Sequence, residues 1–346
     1  MTKEEFALAV FMVTAIATGA SNAQPARDYV TIVGSYVIQP MAMEVAQQFS
    51  KTTQAKLPQV QANGTGAGFK SFCAGVDIET PDATTSTRLI RSSELDLCKK
   101  NGVTEIVEVR FGYDAIVAAH ARGGKVDELN RKELFLAMAK DIPDPKDGSK
   151  LIPNPYKTWK DINPALPDSK IQIWGPDPSL GIYDAHLTQI MLVGCKQFDS
   201  IKTLETSDPK AFEAVCRNFR RDGAYTEFAD YNIVLRELKN NQDALGIIAF
   251  SISRKADLKE ISVDGTEPTL ISISRNAYSL TFPLLAYVKK ARVNLIPSLK
   301  GYLAELTSEK AIGTTGYLYS MGVVPMPLLE RNRVRADVDG LKLLPM

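Results

Sequence analysis

Short apolar runs alternate along this chain with longer segments in which apolar residues recur at helical spacing. The first run, DYVTIVGS at 28–35, is typical of a short buried strand, and Pro40 then begins a helical pattern that continues through Val45 and Phe49. The same order of elements recurs to the end of the chain, although the sequence itself does not repeat. Strands that alternate with helices predict parallel sheets packed between helices, which is the α/β fold class.

The other elements are assigned on the same pattern. Strands are expected at 58–62, at 105–120 with a break at Gly112, at the start of 171–194, and at 244–253, 269–274 and 284–290. Helices are expected from Ser92 or Ser93 to Cys98, at about 132–140, in the second part of 171–194, and at 231–241 and 298–312. Loops are expected at 79–90, which is polar, and at 142–170, which is rich in Pro and Lys.

At 346 residues the chain is long enough for two domains, each with its own core. We expect two lobes, each a sheet flanked by helices, joined by hinge strands near Gly112 and Gly246. The expected boundaries place 24–113 and 249–346 in the first lobe and 114–248 in the second. The glycine-rich turns then fall at the carboxyl ends of strands, where open α/β sheets bind ligands.

The N-terminus has the pattern of a secretory signal. An apolar segment runs from Phe6 to about Ala20, and SNA at 21–23 has the small-x-small form of a signal-peptidase site. Residues 1–23 are therefore expected to be a signal peptide that exports the chain to the periplasm, since the segment is too short for a membrane span. The acidic EE at 4–5 stands where positive charge is usual, and a buried N-terminal helix is the alternative.

Four cysteines agree with export to an oxidising compartment. Cys73 and Cys98 flank one segment, and Cys195 and Cys216 flank another. In such a compartment an even number of cysteines in local pairs is typical of disulfides, although the sequence alone allows three connectivities.

Composition and charge exclude several functions. Apolar content of 45% and charged content of 23% are ordinary for a soluble globular protein, and a net charge of +1 argues against a nucleic-acid or anionic-membrane surface. Neither cysteine pair has C-x-x-C spacing, and His120 and His186 have no evident serine or acid partner. We therefore predict a protein that is not an enzyme, with no catalytic or metal site, no cofactor and no nucleic-acid partner.

Three polar turns share one form, a strand followed by small or hydroxyl residues and then a helix. They occupy 33–40, 64–72 and 175–187, and the segment 84–90 adds three threonines, a serine and Arg88. The bare backbone of GTGAG before a helix is typical either of a flexible turn or of a site where unpaired N–H groups bind an anion. Several such turns in one exported chain favour a cleft that binds a small anion.

At these turns the chain resembles the periplasmic phosphate-binding proteins of bacterial phosphate ABC transporters, in the branch with a GTGGGF-K-x-F-C turn. That turn is GTGAGFKSFC at 64–73 here, and STRLIRSSELDLC, GYDAIV, GPDPSLGIYDAH, FRRDGAYTE and NNQDALGIIAFS extend the resemblance over nearly the whole chain after residue 23. The resemblance implies the type II periplasmic binding-protein fold, whose two α/β lobes close over one phosphate. It also implies delivery of that phosphate to a membrane permease, and we expect a monomer.

Carried over residue by residue, the resemblance assigns ligand contacts to four turns. They are expected at Ser35, Tyr36 and Val37, at Thr65, Gly66 and Ala67, at Thr87 and Arg88, and at Ser179 and Gly181. The family's GSSTVFP is GSYVIQP here and its TSGTRDA is SLGIYDA, so Val37, Leu180 and Ile182 stand where the family has hydroxyls. Losing one such bond to a charged oxygen costs about 1.5–3 kcal/mol, or about 4–9 kcal/mol for three if the losses add.

Several assignments have a structural alternative. Arg88 would serve equally in a structural ion pair, Thr65 as a helix N-cap, and RRDGAY at 220–225 as a solvated turn linking the lobes. The candidates for the acceptor of the phosphate proton are Asp82, Asp114 and Asp222. For the whole chain, the alternative is the same fold with weakened or lost phosphate binding, serving another oxyanion-bearing solute or an interaction or signalling role.

Overall fold

One large mixed sheet, two small sheets and flanking helices make up residues 27–345, the part of the chain that the computed structural model describes. The strands are β1 (Thr31–Gly34), β2 (Gln59–Ala62), β3 (Ala83–Ser86), β4 (Ile106–His120), β5 (Glu128–Leu129), β6 (Asp141–Pro143), β7 (Leu151–Pro153), β8 (Ile173–Pro176), β9 (Tyr225–Phe228), β10 (Leu245–Ala249), β11 (Lys259–Glu260), β12 (Ser262–Val263) and β13 (Thr281–Lys289). The large sheet has the order β2–β1–β3–β13–β4–β10–β8–β9, with β11 also paired to β4, and the small sheets are β12–β5 and β6–β7. The predicted signal peptide, residues 1–23, lies outside the described residues.

Helices cover both ends of the large sheet. They are α1 (Gln39–Thr53), α2 (Thr65–Phe72), α3 (Ser92–Lys100), α4 (Arg131–Met138), α5 (Trp159–Ile162), α6 (Tyr183–Ala185), α7 (Leu192–Cys195), α8 (Asp199–Lys202), α9 (Leu204–Ser207), α10 (Pro209–Cys216), α11 (Tyr231–Asn240), α12 (Phe250–Lys255), α13 (Leu270–Ser274), α14 (Lys290–Leu295), α15 (Pro297–Leu306), α16 (Glu309–Ile312), α17 (Tyr317–Ser320) and α18 (Leu328–Asp339). A π-helical stretch, His186–Met191, joins α6 to α7. Among residues 27–345, no helix combines the length and apolarity that crossing a bilayer requires.

Parallel pairing gathers the ends of several strands at one edge of the sheet. In what we call the first lobe (β1, β2, β3 and β13), β1 runs parallel to β2 and β3, and Gly34 lies opposite Ala62 and Thr85. In the second lobe (β8, β9 and β10), β8 runs parallel to both neighbours. Because parallel strands end at the same edge, the turns after β1, β2 and β3 lie side by side.

The two lobes share β4. Its first part, up to Ala115, pairs with β13, and its second part, from Ile116, pairs with β10. The sequence predicted two strands that look continuous across a break at Gly112. The structure has one strand, whose register against β13 shifts beside Gly112, between the pairs Leu284–Gly112 and Leu285–Arg110. Gly112 instead allows a close crossing, because a Cβ there would lie 2.3 Å from Cγ1 of Val323.

Several predictions of local structure were wrong. The strand predicted at 244–253 ends at Ala249, and α12 begins at Phe250. The sheet is mixed rather than parallel, because β13 and β4 run antiparallel to their neighbours. The polar segment 79–90, predicted as a loop, contains β3, whose residues are all buried. The segment 269–274, predicted as a strand, forms α13, because the Thr269 side chain accepts a hydrogen bond from the N–H of Ser272 and caps the helix.

Two disulfides settle the cysteine connectivity that the sequence left open. Cys73 is bonded to Cys98, and Cys195 to Cys216. The first bond joins the end of α2 to α3 within a separate apolar cluster that includes Phe69. It therefore ties α3 to the helix that begins at the glycine-rich turn.

Candidate functional site

The four predicted turns converge in the structure. Ser35, after β1, donates its backbone N–H to Thr85 O of β3 at 3.1 Å. A Cβ on Gly64, in the turn after β2, would lie 3.4 Å from the Tyr36 ring. The fourth turn meets them from the second lobe, because a Cβ on Gly181 would lie 2.8 Å from Cγ2 of Val37. The lobes are therefore in contact at this point.

The start of α2 presents backbone N–H groups toward this junction. Its first intrahelical bond runs from Gly68 N to Gly64 O at 2.8 Å, so the N–H groups of Thr65, Gly66 and Ala67 precede the helical ladder. Gly64 has a φ of 86° and provides no side-chain cap. The positive end of the helix dipole and these three amides form an arrangement that suits an anion.

Gly68 is required in this turn because the chain packs closely around it. A Cβ on Gly68 would lie 2.7 Å from both Cα of Gly34 and Oγ1 of Thr84. The backbone of α2 therefore lies directly on the end of β1. This contact fixes the direction of α2 relative to the sheet.

Ser35 is buried, and its hydroxyl oxygen accepts a hydrogen bond from Val37 N at 3.2 Å. Its backbone N also donates to Thr85 Oγ1 at 3.0 Å. Tyr36 is 52% exposed, with its ring beside Gly64. The first turn thus supplies the hydrogen-bonded hydroxyl of Ser35 and the exposed phenol of Tyr36.

The junction between the lobes is aliphatic. Ile182 is 3% exposed, and Val37 and Leu180 pack against the main hydrophobic core. None of these side chains donates a hydrogen bond. The lobes meet through apolar contact at the positions where the sequence comparison expected hydroxyls.

Arg88 is held by a carboxylate. Its Nη2 lies 2.7 Å from Glu94 Oε1 and its Nη1 lies 2.8 Å from Oε2, while its guanidinium stands 5.5 Å from the centre of the Phe69 ring. Burial opposes ionisation of Glu94, but hydrogen bonds from Arg88 and from the Arg91 N–H outweigh it and hold the pKa of Glu94 below its ordinary value. The Arg88 side chain remains 27% exposed, and the neighbouring Thr87 is partly buried.

Ser179 is also engaged by a carboxylate. Its N–H and its hydroxyl both donate to Asp177 Oδ1, at 2.8 and 2.5 Å. Two hydrogen-bond donors of the fourth turn are therefore already bound to a carboxylate of the same turn. Asp177 would oppose the approach of an anion from this side.

Two of the three candidate acidic residues are committed to ion pairs. Asp82 is fully buried and bonds Arg27 Nη2 at 2.8 Å. The bond from Arg220 holds the pKa of Asp222 far below its ordinary value. Asp114 is different, because it accepts a bond from Ala115 N at 2.8 Å, while burial raises its pKa to about 7.

The segment 220–225 lies within the second lobe, exposed at residues 221–223 and buried at Arg220, Ala224 and Tyr225. Arg220 is 3% exposed, and it donates to Asp222 and to Tyr156 O at 2.8 Å within the second lobe. His186 is buried against Phe219, and burial lowers its pKa to about 3. The side chains of His186 and Arg220 are therefore both packed within this lobe.

Sequence reasoning missed Asp177 and Glu94, the two carboxylates that occupy predicted ligand donors. A local pattern was present in both cases. An aspartate two residues before a serine is typical of an Asx turn, and a glutamate at the third position of α3 is typical of a capping box. The contact of Val37 with Gly181 has no such local pattern.

Comparison with known proteins places this geometry in a family. Residues 19–310 match the model of the PBP superfamily domain. The phosphate-binding protein PstS of Staphylococcus saprophyticus is 24% identical over 89% of this chain and 83% of its own length. PstS of Staphylococcus aureus strain USA300 is 27% identical over 74% of this chain and 67% of its own length.

Solved structures share the fold. A possible phosphate-binding protein from Planctomyces limnophilus has a TM-score of 0.66 and 21% identity, covering 91% of this chain and 98% of its own. An ABC-type phosphate transport receptor from Vibrio cholerae has a TM-score of 0.61 and 18% identity, covering 86% of this chain and all of its own. These relatives are named for binding or transport rather than for a reaction, in agreement with the prediction of a binding protein that is not an enzyme. The resemblance inferred from the turns and the two-lobed α/β fold are both confirmed, and the chain belongs to the PBP superfamily.

Proposed function

We propose that this protein is the exported substrate-binding component of an ABC importer and that it binds inorganic phosphate between its lobes. The observation that carries the proposal is the uncapped start of α2, where three amides precede the helical ladder at the junction of the lobes. The names of the Staphylococcus relatives support phosphate as the anion. Export through residues 1–23, action as a monomer, delivery to a membrane permease and the lobe boundaries at 113 and 248 are parts of the same proposal.

In this proposal, the amides of Thr65, Gly66 and Ala67 bind phosphate oxygens from the first lobe. The hydroxyls of Ser35 and Thr87 add donors, and Arg88 supplies positive charge. Glu94 orients Arg88 while sharing its guanidinium, so the arginine binds the anion in competition with its own carboxylate.

Binding is expected to be weaker than in a site with a full set of hydroxyls. Val37, Leu180 and Ile182 supply no donors, and Ser179 already donates to Asp177. Three missing bonds of about 1.5–3 kcal/mol correspond to a loss of roughly three orders of magnitude or more in affinity. The amides of α2 do not depend on side chains and remain in place.

The test is calorimetric titration of the phosphate-free protein with phosphate, with sulfate in parallel. Arg88→Gln should weaken phosphate binding about 10-fold or more, because a charge-assisted contact is lost. Arg122→Gln is the matched control, since that arginine is 71% exposed in a surface pair with Asp257. Equal effects of the two substitutions would contradict the assigned site.

A second candidate function keeps the fold and changes the ligand. The observation that favours it is the aliphatic contact of Val37 with Gly181, together with the Asp177 carboxylate in the facing turn. Under this alternative, neither phosphate nor sulfate gives a binding heat at millimolar concentration. The protein would then serve another oxyanion-bearing solute, or an interaction or signalling role.

A further inference from the structure

A cavity of about 750 Å³ opens on the second lobe beside β9. Its lining lies within residues 140–227 and does not include the start of α2. Cavities of about 300–1,000 Å³ are typical of sites for small organic molecules. The cavity is much larger than a single phosphate ion, so its occupant would carry an organic part.

One end of the cavity is basic. Lys140 and Arg221 stand exposed on its rim, and Arg217 lies between this end and Tyr183. Lys140 is fixed beside the arginine segment, because its N–H donates to Asn218 O at 2.9 Å. Lys140 has a distant pairing at 3.9 Å with Asp141, and Arg217 is paired with Glu213. Within residues 27–345, Arg221 has no carboxylate at ion-pair distance, so this end has an excess of positive charge.

The other end is acidic and aromatic. Glu227 lies opposite Gly175, near the end of β8, so that it reaches the cavity beside Pro178 and Tyr183. The Glu227 carboxylate has no ion-pair partner among the side chains that the structure describes. Burial and the charge of Glu227 raise the pKa of Tyr183, and the charge of Arg217 opposes that increase, so the carboxylate and this guanidinium both lie near the phenol.

The floor of the cavity contains a buried phenol without a partner. Tyr225 is 5% exposed, and its ring stacks on Phe219 with 4.4 Å between centroids and 11° between planes. Its hydroxyl forms no hydrogen bond within the described part of the chain. Gly175 leaves room for this hydroxyl, since a Cβ there would lie 2.3 Å from it. The hydroxyl is packed against Gly175 and is closed to solvent, so Tyr225 contributes to the cavity only the wall that its ring forms with Phe219.

We propose that this cavity is a second ligand site, for a small organic phosphate that also carries a cationic amine. Lys140 and Arg221 bind the phosphate group by charge-assisted bonds. Glu227 and the Tyr183 ring bind the ammonium group, by ion pairing and by cation–π attraction.

The site is also placed to act on the junction of the lobes. Pro178 and Tyr183 line the cavity and belong to the same turn as Gly181, which contacts Val37. An occupant that orders this turn would change the energy of closing the lobes. The second site therefore has a direct structural link to the first.

The test is calorimetric titration with phosphocholine and phosphoethanolamine, with inorganic phosphate and choline as the separate halves. Both zwitterions should bind at this cavity more tightly than either half does there, that is, in the binding that Arg221→Gln weakens and Arg88→Gln leaves unchanged. Arg221→Gln and Glu227→Gln should each weaken phosphocholine binding about 10-fold or more, on the scale of one charge-assisted bond. Arg236→Gln and Glu237→Gln, which alter an ion pair on α11 outside the cavity lining, are the matched controls and should have no effect.

Arg88→Gln separates this site from the proposed phosphate site, because it should leave phosphocholine binding unchanged. The proposal is overturned if phosphocholine gives no binding heat, or if inorganic phosphate alone matches its affinity and responds to Arg221→Gln. It is also overturned if circular dichroism shows both cavity variants folded and neither changes the affinity.

Discussion

Gly181 is the point at which the second lobe contacts Val37, and one added methyl group there is expected to hold the lobes apart. A Cβ would lie 2.8 Å from both Cγ2 and the backbone N of Val37, and 3.1 Å from its Cα. A side chain can rotate away from such an overlap, but a backbone nitrogen cannot. Gly181 is not among the glycines with positive φ, so alanine adds no backbone strain of its own.

The size of the effect follows from the overlap. Overpacking of this kind typically costs about 1–3 kcal/mol. If the closed arrangement bears the whole cost, Gly181→Ala should lower the ratio of closed to open protein by about 5- to 150-fold. Phosphate affinity should fall by the same factor, because a ligand held between lobes requires closure.

Small-angle X-ray scattering and phosphate titration measure the two consequences. Gly181→Ala should increase the radius of gyration and weaken binding. Gly148→Ala is the matched control, since a Cβ there meets nothing within 4 Å. If Gly181→Ala gives the same scattering curve and the same affinity as Gly148→Ala, the contact with Val37 does not hold the lobes together.

Three further predictions concern single side chains. Val37→Thr should strengthen phosphate binding about 10-fold or more by restoring a hydroxyl of similar size, whereas Val37→Ala should not; equal titration results for the two would refute a missing hydroxyl. Because the pKa of Asp114 rises from 3.8 to about 7 on folding, its contribution to stability falls as pH increases between these values. The free energy of unfolding of Asp114→Asn, measured in urea, should therefore rise relative to that of the parent protein by at most about 4 kcal/mol between pH 4 and 8. A difference between the two proteins that does not change with pH would contradict this prediction. Because the pKa of His186 falls from 6.5 to about 3, its contribution is complete above pH 6.5 and is lost as the pH decreases toward 3. In His186→Phe, the free energy of unfolding should decrease less between pH 6.5 and pH 3 than in the parent protein. An unchanged decrease would argue against a neutral buried imidazole.

The turns were predictable from sequence because their determinants are local. Glycines followed by a helical pattern mark the start of α2, and Pro40 marks the start of α1, which begins within one residue of the prediction. The fold class followed from the order of strands and helices. The antiparallel β13 was not predictable in this way, because its partners β3 and β4 are far away in the chain.

Local patterns also misled. Ile271 and Ile273 alternate with serines as in a strand, but Ile271 is exposed and Thr269 caps a helix instead. The alternation of isoleucine and serine therefore does not mark the buried face of a strand here.

The carboxylates of the site show a different limit. Candidate ligand residues were identified by their type, but whether a donor is free depends on its neighbours. Ser179 and Arg88 are at the predicted turns, and each is engaged by a carboxylate that the comparison of motifs did not consider. Competition of this kind is decided by distances in three dimensions.

The uninterrupted β4 has a consequence for how the molecule unfolds. One strand supplies hydrogen-bonding partners to β13 along its first part and to β10 along its second. If either lobe unfolded alone, one part of β4 would lose its hydrogen-bonding partners. Backbone N–H and C=O groups at the edge of the folded lobe would then be left unpaired. Independent melting of the lobes is therefore disfavoured, and the two should lose their structure in one cooperative transition although each has the architecture of a separate domain.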